Sequence, residues 1–282
     1  MSKSGVKTKE SSLTQTKRVK ERREGKNAKV DLQVTDRRYL VFGGTRGLGR
    51  AVAKLLSQEG AKVIVTGRTT PDNRESARSL PGVETWVLDT GDAGSISHFL
   101  EKWGDTLLDG LFVNTGGPPP GDFFDLSPED WIQAFSQLLY GPVQLLKALS
   151  PKIADGGSVL FNTSSSIRVP IDHLFLSNVL RPAVEALAKG LSLELASRQI
   201  RVNVIAPGRI GTERVLQLDQ VAATRRHLTL EEIQAQARAQ IPLGRYGSPE
   251  EFARAAAFLL SPAAAFISGA SLFVDGGQTK AL

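Results

Sequence analysis

The stretch of sequence that decides the fold is RYLVFGGTRGLGRAVAKLLSQ, residues 38–58. It opens with an apolar run at residues 39–42, which has the length and composition of a buried strand. A glycine-rich turn follows, and apolar side chains then recur at helical spacing from Gly49 to Gln58. A strand that enters a glycine turn and continues into a helix is typical of an α/β domain in which the turn binds the phosphates of a ligand.

The same alternation of strand and helix continues to the C-terminus. Further strands are predicted at residues 62–66, 84–88, 110–114, 158–162, 200–205 and 271–274. Helices are predicted at residues 95–103, 127–149, 176–197, 229–240 and 249–260. Short apolar strands joined by helices indicate a parallel sheet with helices on both faces. The sequence therefore predicts an α/β fold in which residues 37–282 form a single doubly wound, Rossmann-type domain of about seven strands.

Positive charge is concentrated at the N-terminus. Residues 1–30 contain ten Lys and Arg and three Asp and Glu, a net charge of +7, although the whole chain has a net charge of +6. Residues 1–36 are therefore predicted to form a basic arm, most simply a solvated and disordered one. A second interpretation is a tether to nucleic acid or to an anionic surface through KRVKERR at residues 17–23. Apart from this arm, no nucleic-acid partner is predicted.

The composition argues against several kinds of site. The chain has no Cys and three His, which lie far apart in the sequence. Disulfides and thiolate nucleophiles are therefore excluded, and no metal site is predicted. No apolar run approaches the roughly 18 residues that a membrane-spanning helix needs, so no membrane partner is predicted. The absence of Cys fits a cytoplasmic protein, and that is the expected location.

Four sequence motifs resemble those of the short-chain dehydrogenase/reductase family, in the family's order and spacing. The family's TGxxxGIG motif appears as FGGTRGLG at residues 42–49, and its NNAG motif appears as NTGG at residues 114–117. Its PG dipeptide appears as Pro207-Gly208, and its VDGG motif appears at residues 274–277. The resemblance covers essentially the whole predicted domain.

Within the family, the chain resembles the 3-oxoacyl-[acyl-carrier-protein] reductase-like branch. The sequences NTGGPPPG at residues 114–121 and LSNVLR at residues 176–181 look like a variant subgroup, with Ser-x-x-x-Arg in place of Tyr-x-x-x-Lys. The resemblance implies a small-molecule carbonyl or alcohol as substrate, recognised largely by residues 213–240. It also implies a homotetramer or homodimer, for which the candidate contacts are Leu138, Leu139, Val143, Leu146 and residues 183–188.

The end of the second predicted strand indicates which dinucleotide is bound. An acidic residue there would bind the ribose 2′-hydroxyl of NAD, but the sequence reads Thr66, Gly67 and Arg68. The guanidinium of Arg68 can stack on adenine and pair with a 2′-phosphate, and Arg46 in the glycine turn adds a second cation. The predicted cofactor is therefore NADP(H), with NADPH bound at least about tenfold more tightly than NADH.

The predicted cofactor contacts come partly from the glycine turn and partly from the resemblance. The turn supplies Gly43, Thr45, Arg46, Gly47, Leu48 and Gly49. By resemblance, Asp89 contacts the adenine with Thr90 beside it, Asn114 and Gly116 lie under the adenosine ribose, and Ile210 and Thr212 contact the nicotinamide amide. Thr115, Arg181, Pro207 and Gly208 complete the predicted set. A turn-forming role is the alternative for Asp89 and for Asn114.

The catalytic positions depart from the family's pattern. The resemblance implies a Ser that binds the substrate oxygen, a Tyr-x-x-x-Lys pair that transfers the proton, and an Asn on the preceding long helix. An alignment through residues 181–187 places Ser164, Ser177, Arg181 and Leu138 on these positions. A serine hydroxyl is far less acidic than a phenol, whose pKa is about 10, and an arginine stays protonated. Ser164, Ser177 and Arg181 are the predicted catalytic residues, but the usual proton donor is missing.

Three functional interpretations remain open at this point. In the first, the enzyme transfers a hydride and takes its proton from water positioned by Ser164 and Ser177, or from His173. In the second, the domain binds NADP(H) without turnover, as a sensor or an assembly partner. In the third, the site performs other chemistry that needs a bound nucleotide. Tyr140 lies on a different helix face from Leu138, and Tyr246 lies in a predicted loop, so neither is assigned as the missing acid.

Overall fold

The computed structural model describes residues 31–68, 80 and 82–281. Most of the predicted basic arm, residues 1–30, lies outside the described residues. Val34 is buried, and the amide of Asp36 donates a hydrogen bond to the carbonyl of Gly60 (2.9 Å). The packed chain therefore begins a few residues before the predicted domain boundary at residue 37.

The described residues form one sheet of seven parallel strands. In chain order these are β1 (Arg38–Val41), β2 (Lys62–Gly67), β3 (Val83–Val87), β4 (Leu108–Val113), β5 (Ile153–Asn162), β6 (Arg201–Pro207) and β7 (Ser271–Val274). Their order in the sheet is β3-β2-β1-β4-β5-β6-β7. The strand order reverses at β1, which pairs with β2 on one side and with β4 on the other. The predicted doubly wound sheet is confirmed. Ligands of open α/β sheets bind beyond the carboxyl ends of the strands, at the place where the strand order reverses.

Helices cover both faces of this sheet. In chain order they are α1 (Gly47–Gln58), α2 (Ala93–Trp103), α3 (Pro128–Phe135), α4 (Gly141–Leu149), α5 (Phe175–Glu194), α6 (Glu213–Arg226), α7 (Leu230–Ala239) and α8 (Pro249–Leu260). One apolar cluster joins α1 and α8 to one face, with Val52 and Phe252 among its buried side chains. A second cluster joins α2, α4 and α5 to the other face and contains Phe99 and Leu145. None of the described helices is long and apolar enough to cross a membrane.

The helix predicted at residues 127–149 is interrupted by a π-helical turn. α3 begins at the expected cap, but residues Ser136–Tyr140 then form a π-helical turn before α4 starts. Pro142 has no amide to donate to the carbonyl four residues earlier, so regular α-helical bonding cannot continue through this point. Gly141 also allows a close approach, because a Cβ there would lie 1.8 Å from the carbonyl oxygen of Thr90. The helical segment predicted at residues 127–149 is therefore present, but its hydrogen bonding is not α-helical throughout.

Pro182 lies in the interior of its helix. α5 starts at Phe175, seven residues before it. The carbonyl of Asn178 therefore lacks its usual helical donor. The Asn178 side chain ties this part of the helix to the preceding loop, since its Oδ1 accepts from the amide of Ile171 (3.0 Å) and its Nδ2 donates to the carbonyl of Ile171 (2.9 Å).

Candidate active site

A cleft of about 420 Å³ lies beyond the carboxyl ends of the strands. The predicted site residues that line it are Gly43, Thr45, Arg46, Gly47, Leu48, Arg68, Asp89, Thr90, Asn114, Thr115, Gly116, Ser164, Arg181, Pro207, Gly208, Ile210 and Thr212. Gly49 and Ser177 do not line it. Residues distant in the sequence meet here because parallel strands end at one edge of the sheet.

The turn after β1 presents backbone amides to the cleft. Gly43 and Gly47 have φ angles of +57° and +54°, in the left-handed region that favours glycine. Helix α1 begins at Gly47, and Arg46 at its N-cap makes no side-chain capping hydrogen bond. The first amides of α1 therefore have no side-chain acceptor from the cap, and together with the helix dipole they favour a phosphate at this place.

Gly49 packs behind this turn. A Cβ there would lie 2.2 Å from the carbonyl oxygen of Gly43 and 2.8 Å from Nδ2 of Asn114. Asn114 Nδ2 donates to the Gly43 carbonyl (3.2 Å), and Asn114 Oδ1 accepts from Asn162 Nδ2 (2.8 Å). Asn114 thus ties together the ends of β1, β4 and β5, a structural role in addition to its place in the cleft.

Asp89 and Thr90 follow β3 on another wall. Asp89 Oδ1 accepts from the amide of Gly91 (2.9 Å), which is the turn-forming role considered from the sequence, while the residue also lines the cleft. Thr90 Oγ1 donates to the carbonyl of Gln137 (3.1 Å), and Gln137 Nε2 donates to the carbonyl of Thr115 (2.7 Å). Gln137, in the π-helical turn, therefore bridges the loops that follow β3 and β4.

Arg181 is a buried cation on the wall of the cleft, with 5% of its surface exposed. Its Nη1 donates to the carbonyl of Asn162 (2.8 Å) and its Nη2 donates to the carbonyl of Gly116. Within the described residues, Arg181 Nε and Asn162 Oδ1 are buried without a hydrogen-bond partner. Burial, and secondarily the charge of Arg214, lower the pKa of Arg181 to about 10. The guanidinium therefore stays protonated at neutral pH and offers a polar ligand both charge and an unused donor.

The two predicted serines differ in position. Ser164 lines the cleft, and its Oγ accepts from the amide of Ser166 (3.1 Å), so it also caps a short turn. Ser177 is 7% exposed and lies outside the cleft lining. Its neighbour Leu176 packs with Leu138 and Leu180 in a separate apolar cluster. The alignment placed Ser177 on this helix but could not show that it is buried outside the cleft lining.

The other candidate acids do not line the cleft either. His173 has a φ of +58°, and its Nδ1 pairs with Oδ2 of Asp122 at 2.5 Å. Tyr140 is half-exposed and stacks on Phe135, with the ring centroids 6.1 Å apart. The hydroxyl of Tyr246 donates to Oδ2 of Asp219 (3.0 Å). In the part of the chain that the structure describes, no three His, Asp or Glu side chains are placed to hold a metal ion.

Asp219 anchors the segment that follows β6. Its side chain is 1% exposed, although it belongs to α6, and it accepts from both Arg209 and Tyr246. Partial burial is the main cause that raises the pKa of Tyr246, and the hydrogen bond to Asp219 adds to it. Arg209 directly precedes Ile210, which lines the cleft. This buried carboxylate therefore connects the cleft lining to α6, which together with α7 is called the lid segment.

Asp219→Ala is expected to lower the free energy of unfolding by about 3 kcal/mol, because Arg209 and Tyr246 lose a buried, hydrogen-bonded partner. Denaturant titration followed by circular dichroism measures this change. Glu231→Ala is the control, since Glu231 is an exposed carboxylate on α7 and should change stability by less than about 0.5 kcal/mol. Equal effects of the two substitutions would contradict the anchoring role.

Several cleft residues were not predicted as cofactor or catalytic contacts. Gln137, Asn162 and Thr163 are three of them. Glu213, Arg214, Val215 and Gln217 belong to the segment predicted to recognise the substrate, but none was singled out as a contact. Asn162 could have been found, because it is the last residue of a predicted strand and so lies at the ligand-binding edge of the sheet. Arg214 follows the predicted contact Thr212 by two residues, which was a usable signal. Gln137 could not be found, because its position depends on the π-helical turn.

The chain is also similar to known proteins in sequence and in structure. A family model described as enoyl-(acyl carrier protein) reductase matches residues 43–279. The chain belongs to the short-chain dehydrogenase/reductase family. This confirms the family predicted from the four motifs, and the match extends from the glycine turn to the segment after β7.

Several relatives of this short-chain dehydrogenase/reductase are named as reductases. Carbonyl reductase family member 4 of Danio rerio is 33% identical over 244 residues, which is 84% of this chain and 96% of that protein. The 3-oxoacyl-[acyl-carrier-protein] reductase of Thermotoga maritima is 30% identical over 249 residues, which is 84% of this chain and 96% of that protein. The structure of L-sorbose reductase from Gluconobacter frateurii, in complex with NADPH and L-sorbose, matches with a TM-score of 0.83 and 26% identity, covering 90% of this chain and 100% of that one.

Proposed function

We propose that this short-chain dehydrogenase/reductase binds NADP(H) and reduces the carbonyl group of a small molecule, a 3-oxoacyl thioester or a related ketone. The observation that carries the proposal is that one cleft is lined both by the glycine turn with Arg46 and Arg68 and by Ser164 and Arg181. The NADPH in L-sorbose reductase and the substrate named for the Thermotoga maritima relative support the cofactor and the substrate class.

The residues of the cleft fit a phosphorylated dinucleotide. The first amides of α1 suit the diphosphate. Arg46 and Arg68 suit the 2′-phosphate, because a guanidinium can donate two hydrogen bonds to one phosphate. The unpartnered Arg181 Nε and Asn162 Oδ1 suit ribose hydroxyls, which both donate and accept hydrogen bonds.

The chemistry divides between the cofactor and the chain. When bound, the nicotinamide supplies a hydride. Ser164 Oγ accepts from the amide of Ser166, which leaves its own proton free to donate to a carbonyl oxygen. The protonated guanidinium of Arg181 stabilises the negative charge that develops on that oxygen. Since no tyrosine lines the described part of the cleft, we propose that the proton comes from water oriented by Ser164, and that Ser177 acts only through the packing of α5.

Binding of NADP(H) without turnover is the second candidate function. The observation that favours it is the burial of Leu138 and Ser177, the residues that the alignment assigns to the family's Asn and Tyr positions. Oxidation of NADPH, measured with a panel of 3-oxoacyl thioesters, quinones and small ketones, distinguishes reductase activity from binding without turnover. Turnover of any substrate supports the reductase, whereas tight binding without oxidation across the panel supports a sensor or an assembly partner.

Wild-type protein is expected to bind NADPH at least about tenfold more tightly than NADH, because Arg46 and Arg68 can match the extra phosphate. Arg68→Asp should narrow or invert this ratio, since it adds the carboxylate that binds a free 2′-hydroxyl and repels a phosphate. Isothermal titration calorimetry with each dinucleotide measures both affinities. Arg254→Asp, at an exposed position of α8, is the control and should leave the ratio unchanged. Equal wild-type affinities for NADPH and NADH would refute the assignment of NADP(H).

We further propose a cytoplasmic homotetramer or homodimer. Exposed apolar side chains on α3 and α5 support self-association, among them Ile132, which is 66% exposed, and Val179. Two of the contacts expected from the sequence are unsuitable, because Leu138 and Leu146 are 1% and 3% exposed and pack inside the domain. The proposed contact between subunits therefore uses the exposed faces of α3 and α5 and not the buried side chains Leu138 and Leu146.

A further inference from the structure

Arg214 connects the lid segment to the loop that follows β4. It lies in the first turn of α6 and lines the cleft. Its Nη2 donates to the carbonyl of Pro118 (2.6 Å), in the loop that follows β4. The same guanidinium lies against Gly117, where a Cβ would be 3.4 Å from both Nε and Nη2. The charged side chain of Arg214 therefore donates its hydrogen bond to a neutral backbone carbonyl, that of Pro118.

Arg214 also lies within electrostatic range of two other cations of the cleft. Burial lowers the pKa of Arg214, and the charge of Arg46 lowers it further. The charge of Arg214 in turn helps to lower the pKa of the buried Arg181. Among the salt bridges of the described residues, none involves Arg46, Arg181 or Arg214. Arg181 is buried and Arg214 is half-buried, whereas Arg46 is exposed. Cations that are desolvated and repel one another without a paired anion are unfavourable, so a bound anion would relieve this arrangement.

We propose that Arg214 binds the diphosphate of the dinucleotide and so holds the lid closed over the cofactor. This inference rests on the proposed function. The diphosphate is the favoured anion because of the neighbours of Arg214. Arg214 interacts with Arg46 of the glycine turn and with Arg181, the predicted ribose contact. The diphosphate is the part of the dinucleotide that joins the two nucleosides, so it is expected between these two residues. A hydrogen bond from guanidinium to phosphate is stronger than one to a neutral carbonyl, so the phosphate can replace Pro118 as the acceptor.

Isothermal titration calorimetry with NADPH and with NADH tests the proposal on wild-type protein, Arg214→Met and Arg226→Met. Methionine keeps the apolar stem of arginine and removes its charge. Arg214→Met should weaken both dinucleotides by about 10- to 100-fold, as expected for the loss of one hydrogen bond between charged groups. The ratio between NADPH and NADH should stay at the wild-type value, because both carry the same diphosphate. Arg226→Met, at an exposed position of the same helix, should bind like wild type.

Hydrogen exchange gives a second readout that does not depend on activity. Saturating NADPH should slow amide hydrogen exchange in α6 of the wild type. In Arg214→Met, at equal saturation, NADPH should slow exchange in α6 much less. Thermal unfolding of each unliganded variant checks that the domain is folded.

Other results would overturn the proposal in distinguishable ways. Weaker binding of NADPH alone would assign Arg214 to the 2′-phosphate. Unchanged affinity for both dinucleotides, with a raised KM for an anionic substrate, would assign it to that substrate. Wild-type protein that binds neither dinucleotide would reject the proposed function and this inference together, whereas tight wild-type binding with an unaffected Arg214→Met rejects the inference alone.

Discussion

Gly49→Ala is expected to abolish dinucleotide binding, with a loss of affinity of at least about 100-fold, or about 2.7 kcal/mol. The added methyl group would lie 2.2 Å from the backbone oxygen of Gly43. Backbone atoms cannot rotate away as a flexible side chain can, so the glycine turn or the start of α1 must shift. Either shift displaces the amides that face the cleft and the Asn114 hydrogen bond that ties β4 to this turn. Calorimetry with NADPH measures the loss, and thermal unfolding shows whether the fold is also weakened.

Gly190→Ala is the matched control for this substitution. Gly190 lies inside α5, and a Cβ there would meet no atom within 4 Å. Alanine is a better helix former than glycine by about 1 kcal/mol, so this variant should be as stable as wild type or more stable, with unchanged affinity. If Gly49→Ala bound NADPH within about threefold of wild type, the turn would not be the rigid phosphate site described here.

Much of the fold and most of the cofactor cleft could be predicted from the sequence. Strand, glycine turn and helix at residues 38–58 define a local unit, and seven strand-forming runs, most of them separated by helices, define the sheet. Because parallel strands present their carboxyl ends at one edge, residues at or just beyond the strand ends, such as Pro207 and Asn114, were predictable neighbours. These inferences depend on local sequence and on topology alone.

Features that depend on tertiary contacts escaped prediction. The π-helical turn arises where Pro142 interrupts helical bonding and Gly141 meets the Thr90 backbone, and only the folded chain brings residues 90 and 141 together. The alignment gave Ser177 a position in α5 but not its exclusion from the cleft. Arg214 was visible in the lid segment, yet its contact with Pro118 joins residues 96 positions apart.

Arg181→Met is expected to reduce kcat/KM by roughly 100- to 1000-fold, the usual effect of removing a group that stabilises a developing oxyanion. It should also weaken NADPH binding, because the proposed ribose contact is lost. Arg181→Lys should retain part of the activity, since lysine keeps the charge but cannot reach both the Asn162 and Gly116 carbonyls with a planar fork. Steady-state kinetics on any substrate found in the panel, together with calorimetry, measure these effects.

The pH dependence of kcat/KM should show whether the charge of the Arg181 guanidinium contributes to activity. Because burial and the charge of Arg214 lower the pKa of Arg181 to about 10, the side chain is charged throughout the neutral range and begins to lose its proton only as the pH approaches 10. The part of kcat/KM that depends on this charge should therefore be constant from about pH 6 to 9 and decline above it in the wild type.

His173→Ala is the control for Arg181→Met, because His173 pairs with Asp122 and does not line the cleft; its kcat/KM should stay within about twofold of wild type. Ser164→Ala should lose more activity than His173→Ala, since Ser164 faces the cleft. If the histidine substitution were the more damaging of the two, the proton would come from the loop before α5, and the role given to water at Ser164 would be wrong. If neither substitution nor Arg181→Met changed NADPH oxidation, the charge buried at residue 181 would serve binding alone.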